Sequence, residues 1–173
     1  MTSSLAPLPN EINATGKVQA PILALDLGEK RNGAAVSDEL AISITRLDSF
    51  AKTSWKQTLR HVAALVHRFD AQTIVIGLPL RLNGTEGDAA TKIRIIAEKF
   101  AKSLPIPIYL QDERLTSAEA EERLRAEGRT AKEIPKLVDS VAAGVILEDF
   151  LVPGQKRVLV TSGVANSEQT ETV

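Results

Sequence analysis

The sequence predicts a mixed α/β protein whose single sheet carries helices on both faces. Two observations support this class. Three strand-like runs precede the first helical stretch, and the first two of them flank a short glycine-containing loop, as in a β-hairpin. Strand-like runs then alternate with amphipathic stretches, which gives the order β-β-β-α-β-α-β-α-α. An antiparallel start followed by alternating strands and helices predicts one mixed sheet.

Length and composition are consistent with one globular domain. The 173 residues are 43% hydrophobic but only 3% aromatic, so the core must consist mainly of aliphatic side chains. The net charge of −1 does not indicate a general affinity for nucleic acids, and an anionic partner would need a local basic patch. The chain has no cysteine, which excludes disulfides, zinc–thiolate sites and thiol catalysis.

We predict three segments along the chain. Residues 1–19 lack periodicity and read as a flexible arm, residues 20–152 form the folded domain, and residues 153–173 form a flexible tail. Within that tail, RVLV at 157–160 could form a short edge strand. The chain has no apolar run of transmembrane length and no secretory signal, so we expect a cytoplasmic protein.

The first hairpin, at residues 21–38, carries an isolated carboxylate. An apolar run leads to Asp26, and a turn with Lys30 and Arg31 precedes a strand of small residues at 33–37. A carboxylate at the end of a buried strand is costly unless a metal, a cation or backbone N–H groups pair with it. Alternatively, Asp26 caps the turn, and Lys30 or Arg31 neutralises it.

Five further elements follow the hairpin. A third strand is predicted at 41–50. A helix is predicted at 55–69 with Ser54 as its N-cap, and its core-facing stripe comprises Trp55, Leu59, Val62, Val66 and Phe69. The β-branched run at 73–79 is typical of a central strand that is covered on both faces. Asp88 or Thr85 could cap the next helix, whose buried stripe comprises Ala89, Ile93, Ile96, Ala97 and Phe100. A second buried strand is predicted at 105–113.

Two helices complete the domain. The stretch 116–128 opens with Thr116 and Glu119 at capping-box spacing and closes at Gly128. The last helix, at about 134–151, is mostly apolar and has a proline in its first turn, where proline is tolerated.

Carboxylates stand where several of these elements begin or end. Asp26 ends the first strand, Asp112 and Glu113 end the strand at 105–113, and Asp139 lies early in the last helix. If the first, fourth and fifth strands are neighbours, these acids meet at one sheet edge. Carboxylate oxygens suit Mg²⁺, and two such ions about 4 Å apart can hydrolyse a phosphodiester.

Each of these carboxylates also has a simpler interpretation. Successive strand residues point to opposite faces, so we favour only Glu113 as a ligand and expect Asp112 to pair with Arg114 or the loop. Any of the acids could instead be a surface charge or a helix cap, and Asp139 could stand in a first turn because of the helix dipole.

Four stretches together resemble a known family. DLGEKRNGAAVSD, IVIGLPLRLNGTEGDAA, YLQDERLTSAEAEERL and VDSVAAGVIL look like the blocks of the bacterial YqgF/RuvX family, in the family's order, over residues 20–151. That family consists of RNase H-like proteins described as Holliday junction resolvases and as nucleases that mature the 5′ end of 16S ribosomal RNA precursor.

The resemblance implies a fold and a site. The implied fold is RNase H-like, with a five-stranded sheet of order 3-2-1-4-5 whose first three strands are antiparallel. The implied Mg²⁺ or Mn²⁺ site comprises Asp26, Glu113 and Asp139, with Asp112 beside them as a further catalytic candidate. The implied nucleic-acid contacts are Lys30, Arg31, Arg114, Asn83 and Arg81.

The implied function is that of a hydrolase of the two-metal type, acting in maturation of 16S rRNA precursor. The alternatives are a Holliday junction resolvase, a non-catalytic assembly factor and, from the Asp-x-Gly hairpin, an ATPase of the actin and sugar-kinase type. The stretch GRTAKEIPKLVDS has fewer basic residues than the family often shows before its last aspartate, which motivates the assembly-factor alternative. The expected partner is a nucleic acid and not a membrane, with the protein as a monomer or a homodimer.

Overall fold

A computed structural model describes residues 18–114, 116–155 and 157–160. Its elements, in chain order, are β1 (Ile22–Leu27), β2 (Arg31–Ser37), β3 (Ile44–Ala51), α1 (Trp55–Phe69), β4 (Thr73–Leu78), α2 (Asp88–Ser103), β5 (Ile108–Asp112), α3 (Thr116–Ala126), α4 (Ile134–Leu151) and β6 (Val158–Val160). Residues 1–17 of the predicted arm (1–19), and residues 156 and 161–173 of the predicted tail (153–173), lie outside the described residues.

All the strands form one sheet in the order β3-β2-β1-β4-β5-β6. The pairs β1–β2 and β2–β3 are antiparallel, and β1–β4 and β4–β5 are parallel, so the mixed α/β class and the order of the first five strands are confirmed. The predicted total of five strands is wrong, because β6 pairs antiparallel with β5 and makes a sixth. This strand lies in the predicted RVLV segment, where pairing supplies hydrogen bonds to an otherwise open sheet edge.

Two apolar layers cover the two faces of the sheet. One face packs against α1 and α2, and the predicted α1 stripe of Trp55, Leu59, Val62, Val66 and Phe69 lies entirely in this layer. The other face packs against the C-terminal half of α4 through Ile146, Leu147 and Phe150. Strands β1 and β4 are buried on both faces, which explains their nearly continuous apolar sequences.

Helix ends agree with the sequence predictions in one case and differ in another. The Gln57 N–H donates to Ser54 Oγ at 3.4 Å, so Ser54 caps α1 as predicted. The prediction that Asp88 or Thr85 caps α2 is wrong. The N-cap there is Gly87, without a side-chain hydrogen bond, and Asp88 is the first residue of the helix, where its charge suits the helix dipole.

The α4 helix crosses the sheet and joins its two halves. At its start, Ser140 Oγ donates to the Leu47 carbonyl of β3 at 2.5 Å. Near its end, Phe150 lies against Tyr109 of β5, with ring centroids 5.5 Å apart. The α4 helix also packs along α3. It therefore contacts both α3 and the strands β1, β4 and β5, whose carboxyl ends lie at one edge of the sheet. None of the described helices is both long enough and apolar enough to span a bilayer.

Candidate active site

Three of the predicted carboxylates lie on the sheet face that α4 covers. Asp26 is at the carboxyl end of β1, Glu113 directly follows β5, and Asp139 is in the first two turns of α4. Because β4 separates β1 from β5 and α4 crosses all three, residues far apart in sequence reach the same place. Their charges affect one another, since Asp139 raises the pKa of Asp26 and Asp26 raises the pKa of Glu113.

Gly33 determines how closely α4 approaches the sheet. It is the register partner of Asp26 on β2. A β-carbon placed on Gly33 would overlap the backbone carbonyl of Asp139 and would lie 3.0 Å from the amide nitrogen of Ser140. The absent side chain therefore lets the α4 backbone rest on β2 beside Asp26. Sequence reasoning missed this role, for which the only signal is a glycine within a strand of small residues.

Gly77 plays a similar part for Glu113. A β-carbon at this position of β4 would overlap Glu113 Oε2 and would come within 2.6 Å of Ile146 Cδ1. The Glu113 carboxylate thus lies over the β4 backbone, beside α4. Gly77 lies in the block IVIGLPLRLNGTEGDAA that resembles the family, and the structure supplies the physical reason for a glycine there.

The environment of Asp26 and Glu113 disfavours their charged forms. Burial, followed by the charge of Asp139, raises the pKa of Asp26 to about 7. Burial, followed by the charges of Asp26 and Asp112, raises the pKa of Glu113 to about 8. The ion pairs described near the site engage Asp139 and Asp112 instead of these two acids. Such a pair is strongly stabilised by a bound cation.

Asp139 differs from this pair because it has a cationic neighbour. Its Oδ2 lies 3.8 Å from Nε of Arg31, and the Arg31 guanidinium also donates to Ser49 Oγ and to the Ser49 carbonyl. Burial raises the pKa of Asp139, while Arg31 opposes that shift. Asp139 therefore lies near Asp26 but is turned toward a basic side chain.

Asp112 makes the alternative contact that the sequence suggested. Arg114 donates to it twice, from Nε to Oδ2 at 2.8 Å and from the backbone N–H to Oδ1 at 3.0 Å. Asp112 thereby closes the turn after β5, with Arg114 as its counter-ion. The choice of Glu113 over Asp112 as a metal ligand stays a prediction, and this contact is consistent with it.

The predicted nucleic-acid contacts fall into two groups around the carboxylates. Arg81 lies against Gly87, with Nε 3.2 Å from the position of a β-carbon there, and Arg114 Nη1 lies 3.5 Å from the corresponding position at Gly84. Asn83 Oδ1 accepts from the backbone N–H and the hydroxyl of Thr85, so it shapes this loop. The second group is Lys30 and Arg31, at the β1–β2 turn.

A divalent cation fits the chemistry of Asp26 and Glu113, although the full triad is not assembled for it. Oxygen ligands suit Mg²⁺ and Mn²⁺, and Asp26 and Glu113 are half-buried acids whose charges repel each other. Within the described ranges, no three His, Cys, Asp or Glu side chains are close enough together to hold an ion. The ion pair of Asp139 with Arg31 accounts for this, because it directs the third carboxylate elsewhere.

The raised pKa values predict how stability depends on pH. The folded protein holds protons on Asp26 and Glu113 up to about pH 7 and 8, whereas unfolded carboxyls lose them near 3.8 and 4.5. The native state therefore binds more protons in this window, and metal-free stability should fall as the pH rises from about 4 to about 8. Thermal unfolding in EDTA should show this fall.

Mg²⁺ should raise the unfolding midpoint more at pH 8 than at pH 5, because protons and the cation compete for the same oxygens. The Glu113→Gln variant should show a shallower pH dependence, since it cannot lose that proton. A midpoint that rises between pH 5 and pH 8 in EDTA would contradict the proposed burial of these acids.

Comparisons with known proteins agree with the resemblance noted in the sequence. The model of the family described as "RuvX: Holliday junction resolvase" matches residues 20–152. A Syntrophus aciditrophicus protein named "Putative pre-16S rRNA nuclease" is 42% identical over 130 residues, which are 75% of this chain and 87% of that protein. A protein of the same name from Gloeothece citriformis is 40% identical over 129 residues, covering 75% of this chain and 85% of that one.

Solved structures show a weaker likeness. The T. thermophilus RuvC protein in complex with a Holliday junction substrate has a TM-score of 0.43 and 16% identity, covering 70% of this chain and 90% of that chain. At this level of similarity, no site residue can be transferred from one protein to the other.

Proposed function

The chain belongs to the RuvX family, and from this membership we propose that it is a metal-dependent nuclease that matures the 5′ end of 16S rRNA precursor. The observation that carries the proposal is the half-buried pair of Asp26 and Glu113 with Asp139 beside it, flanked by basic side chains. The names of the curated relatives support the choice of substrate. Such a substrate places the protein in the cytoplasm.

We assign the metal to Asp26, Glu113 and Asp139. The first two residues offer half-buried carboxylate oxygens on the sheet face that α4 covers, and Asp139 could join them if Arg31 paired with another anion. A divalent cation held there would supply Lewis-acid chemistry for hydrolysis of a phosphodiester. Partial burial of Asp26 and Glu113 would strengthen their attraction for such a cation.

The basic side chains bind the phosphate backbone on either side of the carboxylates. Arg81 does so from the loop after β4, and Arg114 does so from the turn after β5. Lys30 and Arg31 do so from the β1–β2 turn. Contacts of this kind fix the position of a strand without reading its sequence. Arg31 would also link the two kinds of binding. If its guanidinium paired with a phosphate instead of Asp139, the Asp139 carboxylate would be free to bind the metal. Substrate binding and metal binding should therefore reinforce each other.

The Arg31→Gln variant tests this arrangement. It should weaken binding of the RNA in EDTA by about 3- to 10-fold and reduce the slope of log affinity against log salt by about 1, since one phosphate contact is lost. Fluorescence anisotropy with a labelled precursor fragment, measured across KCl concentrations, reports both quantities.

The matched control is Arg125→Gln, which removes an exposed arginine whose ion-pair partner is Glu121 on α3. This control should bind as the unaltered protein does. An unchanged affinity and salt slope for Arg31→Gln would remove Arg31 from the proposed interface.

The substrate is decided by a direct comparison. Purified protein is incubated with a labelled 16S precursor 5′ leader and, in parallel, with a four-way DNA junction, each in Mg²⁺, Mn²⁺ or EDTA. We expect metal-dependent cleavage of the RNA at the mature 5′ end. Binding without cleavage of either substrate would contradict the nuclease proposal and favour an assembly factor.

The second candidate function is junction resolution, which the description of the matching family model favours. A four-way junction has two equivalent strands to cut, so a resolvase needs two sites related by two-fold symmetry. Cleavage of the junction alone, together with a dimer mass in light scattering, would establish this candidate over RNA maturation.

A further inference from the structure

A second concave surface lies next to the carboxylates and differs from them in character. It is a cleft of about 430 Å³ where the end of β5 meets the start of α3 and the end of α4, and its floor and walls include Gln111, Asp112, Glu119 and Asp149. Leu82, from the loop after β4, and Arg114, from the turn after β5, also line it. This volume is within the range of pockets that bind small organic groups.

Gln111 is the unusual residue of the cleft. Its side chain is only 3% exposed, and its Oε1 is buried without a hydrogen-bond partner. An unpartnered buried amide is costly, so such a group indicates a missing donor or acceptor. Rotation about its last side-chain torsion can present either the oxygen or the NH₂ group to a ligand.

The rest of the cleft accepts hydrogen bonds and repels anions. Burial and the charges of Glu119 and Glu148 raise the pKa of Asp149, and the opposing effect of Arg123 is smaller. Asp112 already holds Arg114. Three carboxylates outnumber the one arginine in the lining, Arg114, which is already paired with Asp112, so the cleft favours a neutral group with N–H donors over a phosphate. The described side chains also do not form a cluster that could hold a metal.

The cleft adjoins the catalytic carboxylates directly. Gln111 is the register partner of Gly77, and the Glu113 carboxylate lies over Gly77. Gln111 and Glu113 are two residues apart at the end of β5, so their side chains lie on the same face of the sheet. A nucleotide whose phosphate reaches the carboxylates can therefore place its base in the cleft.

We propose that this cleft binds the base of the nucleotide next to the scissile phosphate, and that it prefers guanine. The proposal rests on the proposed nuclease function and adds a sequence preference to it. Leu82, whose exposed fraction is 77%, offers an apolar surface to the face of the base. Sequence-specific recognition of RNA commonly splays a base out and binds its Watson–Crick edge.

The preference for guanine follows from the acceptors. The Watson–Crick edge of guanine carries two adjacent donors, N1–H and the 2-amino group, which together match one carboxylate. Adenine and cytosine present one amino group there, and uracil presents one N–H. The NH₂ group of Gln111 can in addition donate to the guanine O6, which is a hydrogen-bond acceptor.

The test measures nucleoside binding separately from cleavage. Guanosine is titrated into the ¹⁵N-labelled full chain, and the side-chain amide signals of Gln111 are followed by NMR after assignment with the Gln111→Leu variant. We expect these signals to shift. Inosine, which lacks the 2-amino group, should bind about 10-fold more weakly, as should adenosine, cytidine and uridine.

Variants localise the binding. Asp149→Asn should weaken the binding of guanosine about 10-fold. Glu121→Gln, which changes an acid of α3 that is paired with Arg125 and does not line the cleft, should leave this binding unchanged. Guanosine binding should survive in Asp26→Asn, since that residue lies outside the cleft. Equal binding of all nucleosides, or shifts that spare Gln111, would overturn the proposal.

The cleavage arm uses precursor fragments in which each guanine beside the cut site is replaced in turn by inosine. We expect inosine to lower the cleavage rate at one position. In Asp149→Asn, the guanine and inosine fragments should be cleaved at the same rate. If no fragment is cleaved, the nuclease proposal fails, and the nucleoside titration still decides whether the cleft binds guanine. Binding of guanosine without any positional effect on cleavage would reject the placement beside the scissile phosphate.

Discussion

Replacement of Asp26 by Asn abolishes metal-dependent cleavage and at the same time stabilises the metal-free protein. Loss of an outer-sphere partner of a metal costs about 10- to 100-fold, and loss of a direct ligand should exceed about 100-fold. Asn removes the charge that repels Asp139 and Glu113 but keeps the shape of the side chain. The fold should therefore remain intact.

The stability effect distinguishes this explanation from simple misfolding. At pH 8 in EDTA, Asp26→Asn should be more stable than the unaltered protein by about 1–3 kcal/mol, because a buried carboxylate no longer has to ionise. Urea denaturation measures this difference, and initial rates with the RNA leader measure the cleavage.

Asp48→Asn is the matched control, since Asp48 is an exposed acid on the adjoining edge strand β3. It should change neither quantity by more than the ordinary scatter of surface substitutions. Full cleavage by Asp26→Asn, or a loss of stability instead of a gain, would remove this residue from the proposed centre.

Replacement of Gly33 by Ala separates α4 from the sheet and destroys the site without altering any carboxylate. The new β-carbon would overlap the Asp139 backbone carbonyl, which cannot rotate away as a side chain could. Overpacking of this kind costs about 1–3 kcal/mol, and we expect the upper end because both clashing groups belong to regular elements. Cleavage should fall with it, since Asp139 moves away from Asp26.

Gly144→Ala, on the α4 helix that Gly33 contacts, provides the comparison. A β-carbon there would meet Arg46 Cγ at 3.7 Å, an ordinary contact, and alanine is up to about 1 kcal/mol better than glycine within a helix. Urea denaturation should thus show destabilisation by Gly33→Ala and equal or higher stability for Gly144→Ala. Equal stabilities and rates for both variants would show that β2 and α4 tolerate a wider separation.

Local patterns predicted the elements that bury a continuous face. The α1 stripe and the apolar runs of β1 and β4 follow directly from periodicity, because burial requires apolar residues at regular intervals. The edge strand β6 was harder to predict, since three half-buried residues carry little pattern and depend on an open partner strand. The α2 cap was mispredicted because side chains with capping capacity stood beside the true N-cap, Gly87.

The candidate site was predictable as a set of residues but not as an arrangement. A carboxylate at the end of a buried strand or early in an apolar helix is visible in the sequence, so Asp26, Glu113 and Asp139 could be named, and the resemblance supported all three. Neither source predicted that Arg31 and Ser49 would draw Asp139 to one side, because that contact joins β2, β3 and α4. Gln111 was also missed, since an unpaired amide is recognised only when its surroundings are known.

The sequence by itself determined the order of the elements and the acids at their ends, because periodicity and strand-end chemistry are local properties of the chain. Only the tertiary structure decided how close those acids come and what surrounds them. Gly33 and Gly77 show the reason: they matter through atoms that are absent, and a missing β-carbon has meaning only when a backbone or a carboxylate from elsewhere occupies its place.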